Sequence, residues 1–200
     1  MLLREDKMKK IFTIVLIVAI ISLLMVFVPS VFAQTSKDPS APSAGPGSTT
    51  SSGQEKVDYQ LPYPGVLPDS PLYGLKVLRD RIYGFFVSDP LLKSEFDLLQ
   101  ADKRLNSGLF LFNKGKKELA ESTISKGENY FDDEIKNLRL AKQQGMEINY
   151  LVSNTSRSLK KHAEVLSQLK KQTKGSLKKK FEVLEKRILD LEKQVDQLKT

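Results

Sequence analysis

Histidine and clustered carboxylates are the side chains in this sequence with the most chemical reach. His162 is the single histidine, and there is no cysteine. His162 falls on the apolar stripe of a helical stretch, so it reads as a packed histidine rather than a ligand or a base. One histidine cannot supply the paired Glu-x-x-His ligands of a di-iron bundle. His162-Ala163-Glu164 also lacks the two-histidine spacing of a helical zinc protease. Without cysteine there is no disulfide, thiolate metal site or thiol nucleophile. The carboxylates Glu118, Glu121, Glu128, Asp132, Asp133 and Glu134 crowd one helical stretch. Such a run can build an oxygen-only calcium or magnesium site. However, Lys136 stands four residues after Asp132, where a surface ion-pair partner would, so the run reads as a solvated face. No phosphate loop, dinucleotide glycine pattern or Gly-x-Ser-x-Gly elbow occurs. No catalytic, cofactor-binding or metal-binding residue is assigned, and no cofactor is expected.

Lys170, Lys171, Lys174, Lys178, Lys179 and Lys180 form a basic cluster at a predicted helix–helix turn. The cluster contains no arginine and no aromatic side chain for base contacts, so nucleic acid is not the expected partner. A solvated tip is the plain reading. Contact with an anionic polymer or lipid surface through screened, long-range attraction is the sharper one. The net charge of +8 has the same sense.

The elements that must position these groups are helices. Tyr63-Pro64-Gly65-Val66-Leu67-Pro68-Asp69-Ser70-Pro71-Leu72-Tyr73 reads as a stiff lead-in to the first of them. Its prolines favour extended backbone, and Pro64-Gly65 suits the centre of a type II turn. Asp69 and Ser70 are helix N-cap types, and Pro71 fits a first helical position. Tyr59, Tyr63, Leu67 and Tyr73 are expected to lie against the helices. Helix one is predicted over 71–87, with Leu72, Leu75, Leu78, Ile82 and Phe85 inward. Asp89-Pro90 opens helix two, which runs to about Asn113 with Leu91, Leu98, Leu105, Leu109 and Phe112 on one stripe. Helix three spans about 116–143, with Ala120, Ile124, Gly127, Phe131, Leu138 and Ala141 inward, and Gly145 closes it. Helix four spans about 147–172, with Ile148, Val152, Thr155, Leu159, His162, Leu166 and Leu169 on its stripe.

Ser176 is the expected cap of helix five, whose Leu177, Phe181, Leu184, Ile188, Leu191, Val195 and Leu198 make a heptad seam. The short turn at 174–176 makes helices four and five an antiparallel hairpin that closes on itself or projects, with apolar surface left for another copy.

The lead-in, followed by Leu75-Lys-Val-Leu-Arg-Asp-Arg-Ile82, Asp89-Pro-Leu-Leu-Lys-Ser-Glu95, Ala101-Asp-Lys-Arg-Leu105 and Lys114-Gly-Lys-Lys-Glu-Leu-Ala120, resembles an uncharacterised family of exported bacterial and archaeal helical domains of unknown function. The resemblance covers about residues 59–140. It implies secretion or surface display and a helical fold, and it supplies no catalytic residues.

Ahead of the helices lie segments of another kind. Residues 1–10 are basic, and Ile11–Val28 is an apolar run broken only by Thr13 and Ser22. Val31-Phe32-Ala33 before Gln34 fits a signal-peptidase site cutting after Ala33. The run is long for a signal core and approaches membrane-spanning length. Residues 1–33 therefore read as either a cleaved signal peptide or a retained signal anchor. Residues 34–56 are rich in Ser, Thr, Pro and Gly and read as a disordered linker.

The expected architecture is thus all-α: a helical domain over 57–145 and a helical hairpin with a coiled-coil seam over 146–200. The function expected is an exported, non-enzymatic binding or scaffolding domain at the cell envelope. Its partner would be an envelope protein or an anionic envelope polymer or lipid, with the membrane met through the N-terminal segment and self-association through the last helix. An extracytoplasmic metal or stress sensor, and a carboxylate-dependent hydrolase of wall polymer, are the alternatives.

Overall fold

The computed structural model describes residues 57–199. The apolar run, the Ala33–Gln34 cleavage position and the linker lie outside the described residues. Within them the chain forms α1 (Tyr73–Phe86), α2 (Pro90–Asn113), α3 (Lys117–Gln143), α4 (Asn149–Lys171) and α5 (Gly175–Asp196). The described residues contain no strand, and no helix among them is long and apolar enough to cross a membrane.

Local chemistry sets most helix ends. Asp89 caps α2 by accepting from the Leu92 amide at 2.9 Å, and Pro90 takes the first helical position. The α2 and α3 C-termini each close on a glycine with positive φ, Gly115 (+79°) and Gly145 (+75°). The amides of Lys116 and Met146 bond back five residues, to Leu111 and Ala141, satisfying carbonyls that the helix leaves open.

Two antiparallel hairpins, α2–α3 and α4–α5, pack side by side. The contacts run α2–α3, α3–α5, α5–α4 and α4–α2, so the four helices close into a bundle. One continuous core runs through it, from Leu98 and Leu105 on α2 through Phe131 and Leu138 on α3 to Leu159 and Leu166 on α4. The predicted seam of α5 is spent inside this core: Phe181, Leu184, Ile188, Leu191 and Val195 are buried, and so is Leu198 just beyond the helix. Leu177, at the start of the seam, is half-buried.

The α2–α3 pair approaches so closely because glycine faces the crossing. A Cβ on Gly108 would lie 2.3 Å from Ile124 Cγ1, and one on Gly127 would lie 2.9 Å from Arg104 Cβ.

Three sequence expectations fail here. Helix α1 starts at Tyr73, two residues after Pro71, and Asp69 caps nothing. The Asp69 carboxylate instead accepts from Lys116 Nζ (3.0 Å) and Lys114 Nζ (3.2 Å), pinning the lead-in to the α2–α3 turn. Ser176 sits inside the first turn of α5, where no side chain caps the helix. The largest departure is α1 itself. It has no buried residue, and Leu72, Leu75, Leu78, Ile82 and Phe85 all point to solvent. Periodicity located the stripe, but it could not say which side of the helix would find a partner.

The close crossing predicts opposite signs for two glycine-to-alanine changes. Gly108→Ala should destabilise by about 1–3 kcal/mol through overpacking against Ile124, overriding the helix preference for alanine. Gly74→Ala, with nothing within 4 Å, should be neutral or stabilising by up to about 1 kcal/mol. Urea midpoints of the two variants check this.

Candidate functional site

Asp102 lies one turn after Leu98 on the inward stripe of α2, where an apolar residue is expected. A carboxylate at 2% exposure survives only if donors replace its lost water. Three do. Ser158 Oγ donates to Oδ1 at 2.5 Å, Tyr59 Oη donates to Oδ2 at 2.6 Å, and His162 Nε2 lies 3.1 Å from Oδ1. Ser158 and His162 are four residues apart on α4, so one face of that helix presents both. Tyr59 comes from the lead-in. Burial and the neighbouring Asp102 carboxylate push its hydroxyl well above the ordinary phenol value. With Nε2 donating to Asp102, His162 Nδ1 is left without a partner. The ring packs edge-on against Phe131, with centroids 4.8 Å apart.

Serine, histidine and aspartate side by side invite comparison with a catalytic triad, but the order of contacts is wrong. In a triad the imidazole stands between hydroxyl and carboxylate and accepts the hydroxyl proton. Here the carboxylate is the hub, and both of the others bond to it. The serine proton is held by Asp102, and the imidazole is fully buried.

A second buried carboxyl lies next to this hub. Glu134 of α3 is fully buried and bonds through Oε1 to Thr155 Oγ, whose oxygen is also 2.8 Å from the Leu151 carbonyl. A threonine hydroxyl has one proton and cannot give it to both. The pattern closes if Glu134 is protonated: Glu134 donates to Thr155 Oγ, and Thr155 donates to Leu151 O. Burial pushes the Glu134 carboxyl well above its usual range, and the charges of Asp102 and Asp97 push it the same way. Asp97, 1% exposed, is also raised by burial, against the pull of Lys93 (3.0 Å) and Asn137 (3.2 Å).

The acidic run of α3 is thus solvated only in part: Glu118, Asp132 and Asp133 are exposed and Glu121 is half-buried. Glu128 and Glu134 are both buried, and Asp132 pairs with Arg187 of α5 rather than with Lys136. Neither oxygen of Glu128 has a hydrogen-bond partner, and Arg187 Nη1 stands 3.8 Å away. Burial pushes the Glu128 carboxyl up to about 8, with Arg187 opposing. Among the described residues no three histidine or carboxylate side chains gather as a metal site.

The lead-in clips to the bundle at several points. The Val57 amide donates to Glu164 Oε2 (2.9 Å), and Asn106 Nδ2 donates to the Pro62 carbonyl (2.8 Å). Pro64 is buried, Gly65 takes φ +70°, and Arg104 Nη1 donates to Tyr73 Oη at 3.1 Å. Pro68 is half-buried, whereas Tyr63 is 77% exposed and does not pack as expected, so the prolines and hydroxyls do the holding. A groove of about 450 Å³ runs between the lead-in, α2 and α4, with Tyr59 and Asp102 among its lining residues and Tyr150 at its rim.

The lysine cluster is partly committed: Lys170 pairs with Glu185 and Lys180 with Glu121. Lys174, Lys178 and Lys179 are exposed around the turn.

A family model described as a domain of unknown function (DUF5667) matches residues 65–176, more than half of the chain. The chain belongs to this family. The match begins at Gly65, inside the lead-in, and runs through α1–α4 into the first residues of α5. It therefore takes in Asp102, Glu134, Ser158 and His162 of the DUF5667 domain but leaves out Tyr59. No curated protein and no solved structure matches the chain. Sequence reasoning placed Thr155 and His162 on the α4 stripe but missed Glu134 as the partner of Thr155 and Asp102 as the partner of His162, Ser158 and Tyr59. The available signal was polar residues at stripe positions of two helices at once.

The raised carboxyl of Glu128 makes stability fall as pH rises. The folded state holds the proton more tightly than the unfolded chain, whose ordinary value is 4.5. The contribution is complete below that value and is lost as pH rises through about 8. Glu128→Gln should flatten this dependence and leave the variant more stable than the parent at pH 9, by about 2–4 kcal/mol. Denaturation midpoints across pH 4–9 check it.

Proposed function

We propose that this chain is an exported, non-enzymatic helical domain that binds or scaffolds at the cell envelope, its N-terminal segment serving as a cleaved signal or as a retained membrane anchor. One observation carries the reading: the polar groups capable of chemistry are consumed inside the bundle, while the apolar residues of α1 are left outside. Asp102 holds Ser158, His162 and Tyr59, and Glu134 holds Thr155. A hydrolase would need two carboxyls free to act in a cleft. Glu95 and Asp102 both line the groove, but Asp102 is 2% exposed with its oxygens taken by Tyr59, Ser158 and His162, and Glu134 is fully buried. The groove lined by Tyr59 and the α1 face remain as binding surfaces. The exposed lysines of the α4–α5 turn suit an anionic envelope polymer.

The basic start, the apolar run Ile11–Val28 and Val31-x-Ala33 support export. The expected outcome of native-cell fractionation is recovery with the envelope or the medium, with protease added to intact cells cutting the chain. Intact mass then reads either a chain starting at Gln34 or one that keeps its apolar run. Full-length chain in the cytosol, shielded from that protease, overturns the proposal.

A further inference from the structure

Helix α1 is mounted back to front. At 100° per residue, Leu75, Leu78, Ile82, Phe85 and Phe86 fall within one arc of about 100°. They are 67, 54, 45, 83 and 76% exposed. The opposite arc, Tyr73, Val77, Asp80 and Gly84, is the half-buried one. Tyr73 Oη accepts from Arg104, Asp80 pairs with Lys76 at 3.3 Å, and a Cβ on Gly84 would lie 3.1 Å from the Phe96 ring. A surface helix ordinarily docks by its apolar stripe and shows its polar face to water. This one docks by its polar side and presents leucine, isoleucine and two phenylalanines in a row. Contiguous exposed apolar surface of this kind marks a place of contact.

We propose that this stripe seats α1 in the headgroup boundary of an anionic lipid bilayer, as an in-plane amphipathic helix. The inference rests on the proposed reading of Ile11–Val28 as a membrane segment and goes beyond it, since it gives the helical domain a lipid contact of its own. Charge on the helix carries the choice of occupant. On the helical projection Arg79 and Arg81 border the stripe on its two sides, and both are exposed, Arg79 also pairing with Asp80 at 2.7 Å. That is the placement at which guanidinium groups reach lipid phosphates while the apolar face sinks below them. Chain length favours the same occupant. Residues 29–56 separate the apolar run from Val57, a contour of at most about 100 Å. A bilayer that holds the run is thus an apolar phase within the domain's reach. A second copy fits worse. Antiparallel two-fold pairing of two such stripes sets Arg79 beside its own copy and Arg81 beside its own, like charge against like. The lysine turn belongs to the other end of the bundle, because Phe85 and Phe86 sit by the start of α2 whereas the α4–α5 turn lies with the α2–α3 turn.

The absence of cysteine makes the test direct. Full-length chain carrying Phe85→Cys, or Lys178→Cys on the lysine turn, is labelled with a polarity-sensitive dye. It is then reconstituted into phosphatidylcholine vesicles with and without phosphatidylglycerol, and quenching by spin-labelled lipid is read. Expected is a blue-shifted, lipid-quenched dye at position 85 and an unquenched one at 178. Arg79→Gln and Arg81→Gln should lower the docked-to-free ratio by roughly fivefold each in anionic vesicles. A chain that stays in the vesicle fraction with position 85 unquenched, or with 178 quenched in its place, overturns the inference and leaves the anchor reading standing. A dye at 85 that is buried only as protein concentration rises, without lipid, assigns the face to a second copy and also overturns it. Chain recovered off the vesicles overturns the anchor reading, and the inference with it.

Discussion

A single buried carboxylate, Asp102, sets much of this structure. Taking a carboxylate out of water is tolerable only with a full set of donors. The donors here come from two separate parts of the chain and meet on a third. Tyr59 belongs to the lead-in, Ser158 and His162 belong to α4, and Asp102 itself stands on α2. The hub therefore fixes the register of α2 against α4 and fastens the lead-in across them. Apolar contacts along the same helices tolerate sliding, whereas a three-donor carboxylate does not. Glu134 next to it works by the opposite device. It sits beside the Asp102 charge in a fully buried position, and the hydrogen-bond pattern around Thr155 closes only if it is protonated.

Spending polar groups inside leaves an unusual outside. Helix α1 is held by a hydroxyl and a guanidinium, and the lead-in by lysine–carboxylate pairs together with Leu61 and Pro64 against the bundle. Two spaces beside α1, of about 230 and 460 Å³, separate parts of it from α2 and α3. The apolar stripe is consequently left over, and the site that looked most chemical is sealed.

How far the sequence could be read depended on whether the deciding partner was near in the chain. Asp89-Pro90 and Gly145 act within one turn, and their structures were legible. So was the α5 seam, whose seven apolar positions have one solution once a groove exists. Glu128 and Asp132 were misread because Lys136 is a plausible neighbour at four residues, whereas Arg187 is 55 residues beyond Asp132. Helix α1 was misread because a stripe carries no mark of inside or outside. Asp102 passed unnoticed because it breaks the stripe only once, and its meaning appears only when Thr155, Ser158 and His162 break the facing stripe at the matching height. The sealing of His162 was legible, because a lone histidine among leucines has few other fates.

The claim that one carboxylate joins three segments is tested most directly by hydrogen exchange of the Asp102→Asn variant, read by mass spectrometry. An asparagine keeps the shape but brings an amide donor into a pocket already filled with donors. The account predicts that amides of the lead-in near Tyr59 and of α4 around 155–162 lose protection together with those of α2 near position 102, while α5 stays protected. Loss confined to α2, with the lead-in and α4 as protected as in the parent, would contradict it.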